Sequence, residues 1–319
     1  MSDVKICVVG AGRWGKNHIK NLLEIGIEIG IVEKNLQKKN NIKRFFPNAV
    51  YFNSIEDTFK ENFGGYIIAT PPHTHFRLAE KILLNGKAVL VEKPLVLSIE
   101  EGENLLSIVK NTHGKLIVGH LLLFHPAVIK MKELIDNGKI GDVQYLYSNR
   151  LNLGIVRKEE NVFWSFAPHD ISLFQFFSNS FPNEINTSGG AFLQNDIFDT
   201  TITYLKYPNG IQGHIYVSWL HPFKEHRLVI IGSKGTLHFE DSSETKPLLF
   251  YEKVIRDNKE LFLENKSPRL IEYDSDSPLK NELKYFVEII EGKPICKANI
   301  QEGLDVIKIL EIATKSLKK

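Results

Sequence analysis

Cysteine is nearly missing: the 319 residues contain only Cys7 and Cys296. So distant a pair does not make the disulfide framework of a small secreted domain, and two free thiols in a reducing compartment are expected. No apolar run reaches the ~18 residues of a membrane span. The longest, around Ile6–Val9 and Leu121–Phe124, are strand-sized. The first residues, Met-Ser-Asp-Val-Lys, lack the layout of a secretory signal, so a cytoplasmic location is expected. Charge of one sign is also lacking. Forty Lys and Arg against 38 Asp and Glu leave +2, too little for a dedicated nucleic-acid surface. Repeats and low-complexity tracts are absent, and neither a metal nor a membrane partner is expected. What remains is an ordinary globular composition, 43% hydrophobic and 24% charged, at a length suggesting about two domains.

The first third alternates short apolar runs with helical stretches. Lys5–Val9, Ile27–Val32, Ala49–Phe52, Tyr66–Ala69, Ala88–Val91 and Leu116–Val118 read as strands. Helices are expected over about 12–25, 36–45, 74–84 and 98–111, with another after Ser54, whose hydroxyl suits a helix cap. Strands that are continuously apolar fit a parallel sheet covered on both faces. The expectation is α/β: a doubly wound Rossmann sheet over residues 1–120.

After Gly119 the pattern shifts to long, partly alternating segments: Val143–Leu153, Thr200–Tyr207, Ile211–Trp219, His226–Ile231 and Thr236–Phe239. Residues 121–319 are therefore expected to form an α+β domain with a large, mostly antiparallel open sheet. Its helices cover Pro126–Asp136, Leu279–Ile290 and Gln301–Leu317, the last free to return to the first domain.

Gly10-Ala-Gly12-Arg13-Trp14-Gly15 is a complete G-x-G-x-x-G placed directly after the first strand and opening a helix. Gly10 permits the tight turn, Gly12 lets the backbone approach a pyrophosphate, and Gly15 allows close helix–strand packing. Arg13 and Trp14 are counted with this cofactor site. Glu33 ends the second strand, about 18 residues past Gly15, where a carboxylate accepts bonds from ribose hydroxyls. It repels a 2′-phosphate and so favours NAD over NADP, although Lys34, Lys38 and Lys39 stand close by. Two more segments lie at carboxyl ends of strands: Thr70-Pro71-Pro72-His73-Thr74-His75 and Glu92-Lys93-Pro94. His75 either faces the cofactor or packs at a helix start. A partly desolvated Lys93 ammonium suits the alkoxide character that builds during hydride transfer.

In this order, Gly10–Gly15, Thr70 to His75 and Glu92-Lys93-Pro94 resemble the glucose-fructose oxidoreductase / inositol dehydrogenase / MocA family, with Gly232-Ser-Lys-Gly-Thr236 similar to its late hairpin. The resemblance implies NAD(P)-dependent oxidation or reduction of a sugar or cyclitol hydroxyl. It implies homodimers or homotetramers built through the C-terminal sheets. By position it makes Lys93 the catalytic lysine and His169 the general acid/base, with Thr70, Pro71, His75 and Glu92 beside the cofactor. Ser165 stands where the family carries aspartate and Ala167 where it carries glycine. Asp170 is another source of charge, on a helix expected to start near Pro168. His120 and His125 serve substrate or structure alike. The wording from Trp164 to Ile171 is most similar to members acting on nucleotide sugars, the UDP-N-acetylglucosamine 3-dehydrogenases of bacterial surface-glycan and lipid A (lipopolysaccharide) biosynthesis among them. Arg150, Arg157 and Lys158 would then hold a diphosphate, unless they are solvated surface, and Trp164 would stack on a sugar. A free sugar, inositol or sugar phosphate is the alternative substrate, and a non-catalytic dinucleotide sensor the alternative function.

Overall fold

The computed structural model describes residues 4–154, 156–257, 261–265 and 267–317. The chain forms two compact units, one of Met1–Phe124 with Asp276–Ile307, the other of His125–Ser275 with Lys308–Lys319. The first begins β1 (Lys5–Val9), α1 (Arg13–Glu24), β2 (Glu28–Val32), α2 (Leu36–Phe45) and β3 (Val50–Phe52). It continues β4 (Gly65–Ile68), α3 (His75–Leu84), β5 (Ala88–Glu92), α4 (Ile99–Thr112) and β6 (Leu116–Gly119). The six strands are all parallel, in the order β3-β2-β1-β4-β5-β6. Ile6, Cys7, Val8, Tyr66, Ile67, Val89 and Leu90 are completely buried, as two covered faces require. Strand order reverses between β1 and β4, and ligands bind doubly wound sheets at the carboxyl ends beside such a reversal. The helix expected after Ser54 is instead one 3-10 turn, Glu56–Lys60. Ser54 Oγ does accept the Asp57 N–H (3.3 Å), and the Asp57 carboxylate accepts the Ser54 N–H (3.2 Å). Extended backbone resumes at Glu61, so the cap has no helix to propagate.

The second unit contains α5 (Pro126–Asp136), β7 (Val143–Leu151), α6 (Val162–Ser178), β8 (Glu184–Gly190), β9 (Thr200–Lys206) and β10 (Gln212–Ser218). β11 (Glu225–Gly232), β12 (Gly235–Glu240), β13 (Leu248–Asp257), β14 (Leu261–Asn265) and β15 (Arg269–Leu270) follow. The sheet runs β14-β13-β12-β11-β7-β10-β9-β8, with β15 pairing β13. β7 and β10 are parallel; the other pairings are antiparallel. Period-two alternation buries Leu146 and Ser148, Ile215 and Val217, Thr201 and Thr203 on one face. Tyr145, Tyr147, His214 and Tyr204 lie half-buried on the other. α6 starts at Val162, not near Pro168. The Asn161 side chain accepts the Trp164 N–H (3.0 Å) and caps it. Pro168 sits inside the helix, at the loss of one ladder bond.

α7 (Pro278–Ile290) and α8 (Ile300–Leu317) complete the chain. Residues 276–307 rejoin the first unit, so a single division at residue 120 does not describe the chain. Lys115 Nζ donates to Ile289 O (2.8 Å). Phe286 and Ile290 lie against Gly65, where a Cβ would stand 2.6 Å from Ile290 Cδ1. No helix among the described residues is long and apolar enough to cross a membrane.

Candidate active site

The glycine loop is held by close packing. Gly10 has φ +95°, which L side chains rarely adopt, and a Cβ there would lie 2.8 Å from Ala69 O. At Gly15 a Cβ would lie 1.9 Å from Gly10 O, so α1 could not approach its own loop. Gly12 begins α1 without a side-chain cap and without acidic residues in the first turn. The free N–H groups and partial positive charge of that turn suit a phosphate.

A cleft of about 1080 Å³ opens beside this loop, with Gly12, Arg13, Trp14, Glu33, Thr70 and Pro71 in its wall. Glu33 is fixed at both oxygens: Oε2 accepts the Ala11 N–H (3.1 Å) and Oε1 the Asn35 N–H (2.9 Å). A ribose diol fits this carboxylate, and a 2′-phosphate beside it is repelled. The glycine loop, the uncapped helix and the fixed acid together fit NAD. His73, Arg77 and Lys81 also line the cleft, and sequence reasoning passed over them. Arg77 and Lys81, four apart on one face of α3, offered a signal, whereas His73 lies just before that helix. Lys81 is paired with Glu56.

His75 and Glu92, expected beside the cofactor, are placed differently. His75 is buried, with Nδ1 2.9 Å from Pro94 O and Nε2 2.9 Å from Thr70 O. Both nitrogens face backbone carbonyls, and the neutral ring donates its one N–H to one of them. Burial lowers its pKa, against the opposing pull of the two carbonyls. Glu92 is buried at the end of β5, with Oε1 2.7 Å from His18 Nε2. Lys93 follows it, half-buried, and its peptide bond to Pro94 is cis.

His120 is buried and neither ring nitrogen has a hydrogen-bond partner. Burial, aided by the Lys93 ammonium, lowers its pKa from 6.5 to about 4. The unfolded chain therefore takes up a proton below about pH 6.5 that the folded protein refuses until about pH 4. Stability is lost as pH falls through that window, by up to about 1.4 kcal/mol per pH unit. His120→Leu is expected to remove this slope. Urea melts at pH 7 and pH 5 should show the variant gaining about 2 kcal/mol on the wild type between the two. An equal difference at both would refute the assignment.

In the second unit, Ser165 and His169 lie four residues apart on one half-buried face of α6. Trp164 Nε1 donates to Thr314 Oγ1 (2.9 Å), which fixes the indole. Arg150, expected at a diphosphate, is otherwise engaged. Its Nε donates to Asp170 Oδ2 (2.7 Å) and its Nη2 to Asp170 Oδ1 (3.1 Å), with both side chains nearly buried. Its Nη1 donates to His226 Nδ1 (3.3 Å). Burial and the neighbouring Arg150 charge lower His226 to about 3, which leaves it the neutral acceptor of that bond. Arg157 and Lys158 are exposed, Arg157 facing Glu160 at 3.7 Å. His125 caps α5, its Nδ1 accepting the Ala127 N–H (3.2 Å), and is buried against Phe239. Among the described residues, no group of three or more His, Cys, Asp and Glu could hold a metal ion.

Residues 4–120 match the GFO/IDH/MocA oxidoreductase family, NAD-binding Rossmann fold, and residues 128–238 match the GFO/IDH/MocA C-terminal domain. The chain is 27% identical to the scyllo-inositol 2-dehydrogenase (NAD(+)) of Bacillus subtilis, covering 74% of this chain and 73% of that one. It is 25% identical to the UDP-N-acetylglucosamine 3-dehydrogenase of Acidithiobacillus ferrooxidans, covering 68% of each. The solved structure of that Acidithiobacillus enzyme has the same fold, with TM-score 0.86 at 20% identity over 100% of this chain and 98% of that one. So does a Bordetella pertussis dehydrogenase in complex with NADH and UDP-GlcNAcA, with TM-score 0.81 at 19% identity over 99% and 97%. With both domains matched and the dinucleotide cleft in place, the chain belongs to the GFO/IDH/MocA oxidoreductase family and is an NAD-dependent dehydrogenase.

Proposed function

We propose that this protein oxidises a secondary hydroxyl of a nucleotide sugar, at C3 of a UDP-N-acetylhexosamine, in the cytoplasmic assembly of bacterial surface glycan or lipid A. The observation that carries the chemistry is Lys93, a half-buried cation directly after a buried strand of the dinucleotide-binding sheet. NAD, when bound, supplies the hydride acceptor. Lys93 donates a hydrogen bond to the substrate oxygen and stabilises its developing negative charge. His169 takes the hydroxyl proton, a role general bases near neutrality fill with about 10²–10⁴-fold effect. Glu33 and the first turn of α1 hold the ribose and the phosphates.

Support for the nucleotide sugar comes from the resemblance to the Acidithiobacillus enzyme. The Bacillus relative supports a second reading, in which the substrate is an inositol. Burial of Arg150 moves any diphosphate contact onto the exposed Arg157 and Lys158. The same reading pairs copies of the chain through the outer face of the second sheet, as a homodimer or homotetramer. There Tyr147 stacks on His214 at 5.3 Å, with both rings half-buried.

Initial rates of NADH formation with UDP-GlcNAc, scyllo-inositol and myo-inositol test the reading. UDP-GlcNAc is expected to give a kcat/KM at least about 100-fold above either inositol, because an inositol lacks the UDP part whose binding energy helps to place the reacting hydroxyl. A preference for an inositol would replace the substrate. Tight NAD binding without turnover of any polyol would favour the sensor.

A further inference from the structure

Two buried histidines hold the turn that carries Lys93 from its opposite ends. On one side, His18 of α1, 0% exposed, places Nε2 2.7 Å from Glu92 Oε1. Glu92 Oε2 accepts the backbone N–H of Lys93 (3.3 Å). On the other side, His75 of α3 meets Pro94 O and ties it to Thr70 in the cofactor cleft. Gly119 of β6 is the cross-strand partner of Glu92 and gives the carboxylate room. A Cβ there would lie 3.3 Å from both Glu92 Cα and Oε2. Among the described residues, the Glu92 charge also acts on His75, His120 and Glu282 of α7. Glu282 is 1% exposed, and burial, aided by the Glu92 charge, raises its pKa well above the usual carboxylate range.

The fold alone gives little reason for this arrangement. An imidazole and a carboxylate taken from water cost several kcal/mol, and shape-matched apolar residues are often as stable or more so. Among the described residues His18 Nδ1 has no hydrogen-bond partner, and the ring's polar contact is the one to Glu92. That contact ends at the backbone of Lys93.

We propose that His18 is a positioning residue for Lys93: it fixes the Glu92 carboxylate, which fixes the backbone at Lys93 and so the direction of the ammonium. The proposal rests on the catalytic role given to Lys93 above. Errors of about 1 Å in such placements cost up to about 10²-fold in rate.

Three variants of the full-length protein decide it. In His18→Gln the amide reaches the place of Nε2 and keeps the bond to Glu92. In His18→Asn it reaches only the place of Nδ1 and loses the bond. Glu92→Gln keeps the shape and removes the charge. His18→Asn and Glu92→Gln are expected to lower kcat about 10- to 100-fold with KM values unchanged, and His18→Gln to recover most of that loss. A second readout needs no substrate. Acylation of Lys93 by an amine reagent, read by peptide mass spectrometry against exposed Lys110, should change at least about threefold in His18→Asn and return in His18→Gln, since a loosened side chain samples other directions.

Wild-type labelling and kcat in a natively melting His18→Asn would overturn the proposal. Equal impairment of the Asn and Gln variants would overturn it too, because the ring would then only fill space. If His18→Asn melts early, Glu92→Gln carries the same decision, and wild-type behaviour there sinks the idea. Full turnover in Lys93→Ala would remove the mechanism instead, while Lys93 labelling in the other variants still reports on His18.

Discussion

Lys93→Ala is expected to lower kcat/KM by about 10³-fold while the NAD dissociation constant moves less than about threefold. The first figure is the size of effect seen when one donor to a developing oxyanion is removed. The second follows from position. The glycine loop, Glu33 and Thr70 make the cofactor cleft, and Lys93 sits at the end of another strand, beyond buried Glu92. Lys93→Arg keeps the charge but presents a planar fork in place of a compact ammonium, so it should recover only part of the rate. Steady-state rates of NADH formation give the first number. Quenching of Trp14, which lines the cleft, gives the second. Wild-type turnover in Lys93→Ala would remove this residue from the chemistry. A large loss of NAD affinity would move it into the cofactor site.

Arg150→Met should destabilise the protein by about 3–5 kcal/mol, the cost of leaving one member of a buried ion pair behind. Asp170 keeps only 2% side-chain exposure, so its charge would stay buried without a partner. Replacing both residues, Arg150→Met with Asp170→Leu, should recover most of the loss, since the apolar pair strands no charge. Urea melts of the single and double variants measure this coupling. A cost under about 1 kcal/mol for the single variant would place the pair with exposed ion pairs instead. Asp170 neighbours His169 on α6, so turnover is expected to fall in the single variant and return in the double.

The first sheet was legible because its strands are continuous apolar runs and its helices carry local signals, such as Ser98 accepting the Glu101 N–H at the start of α4. The glycine loop was legible for a similar reason: three glycines at fixed spacing answer to one backbone geometry. α6 was misread at its start. Pro168 looks like a first-turn proline, and the true cap, Asn161, lies seven residues earlier. β8, with sequence Glu-Ile-Asn-Thr-Ser-Gly-Gly, carries almost no apolar signal and depends on pairing with β9. The basic and acidic side chains behaved least predictably. Whether Arg150 meets a substrate or Asp170 depends on a contact 20 residues away, and whether Glu92 meets a cofactor or His18 on one 74 residues away. Residue type fixes neither outcome; tertiary packing does.

The return of residues 276–307 to the first unit has a practical consequence for dissecting the protein. A gene fragment stopping after Phe124 would encode every strand of the parallel sheet, yet Gly64 and Gly65 would lose Phe286 and Ile290 from above them, and Lys115 its carbonyl caps. Such a fragment would be a nucleotide-binding half with one wall torn off. Expression of the coenzyme-binding half alone therefore calls for grafting the distant helical segment back on, not for trimming at the obvious seam.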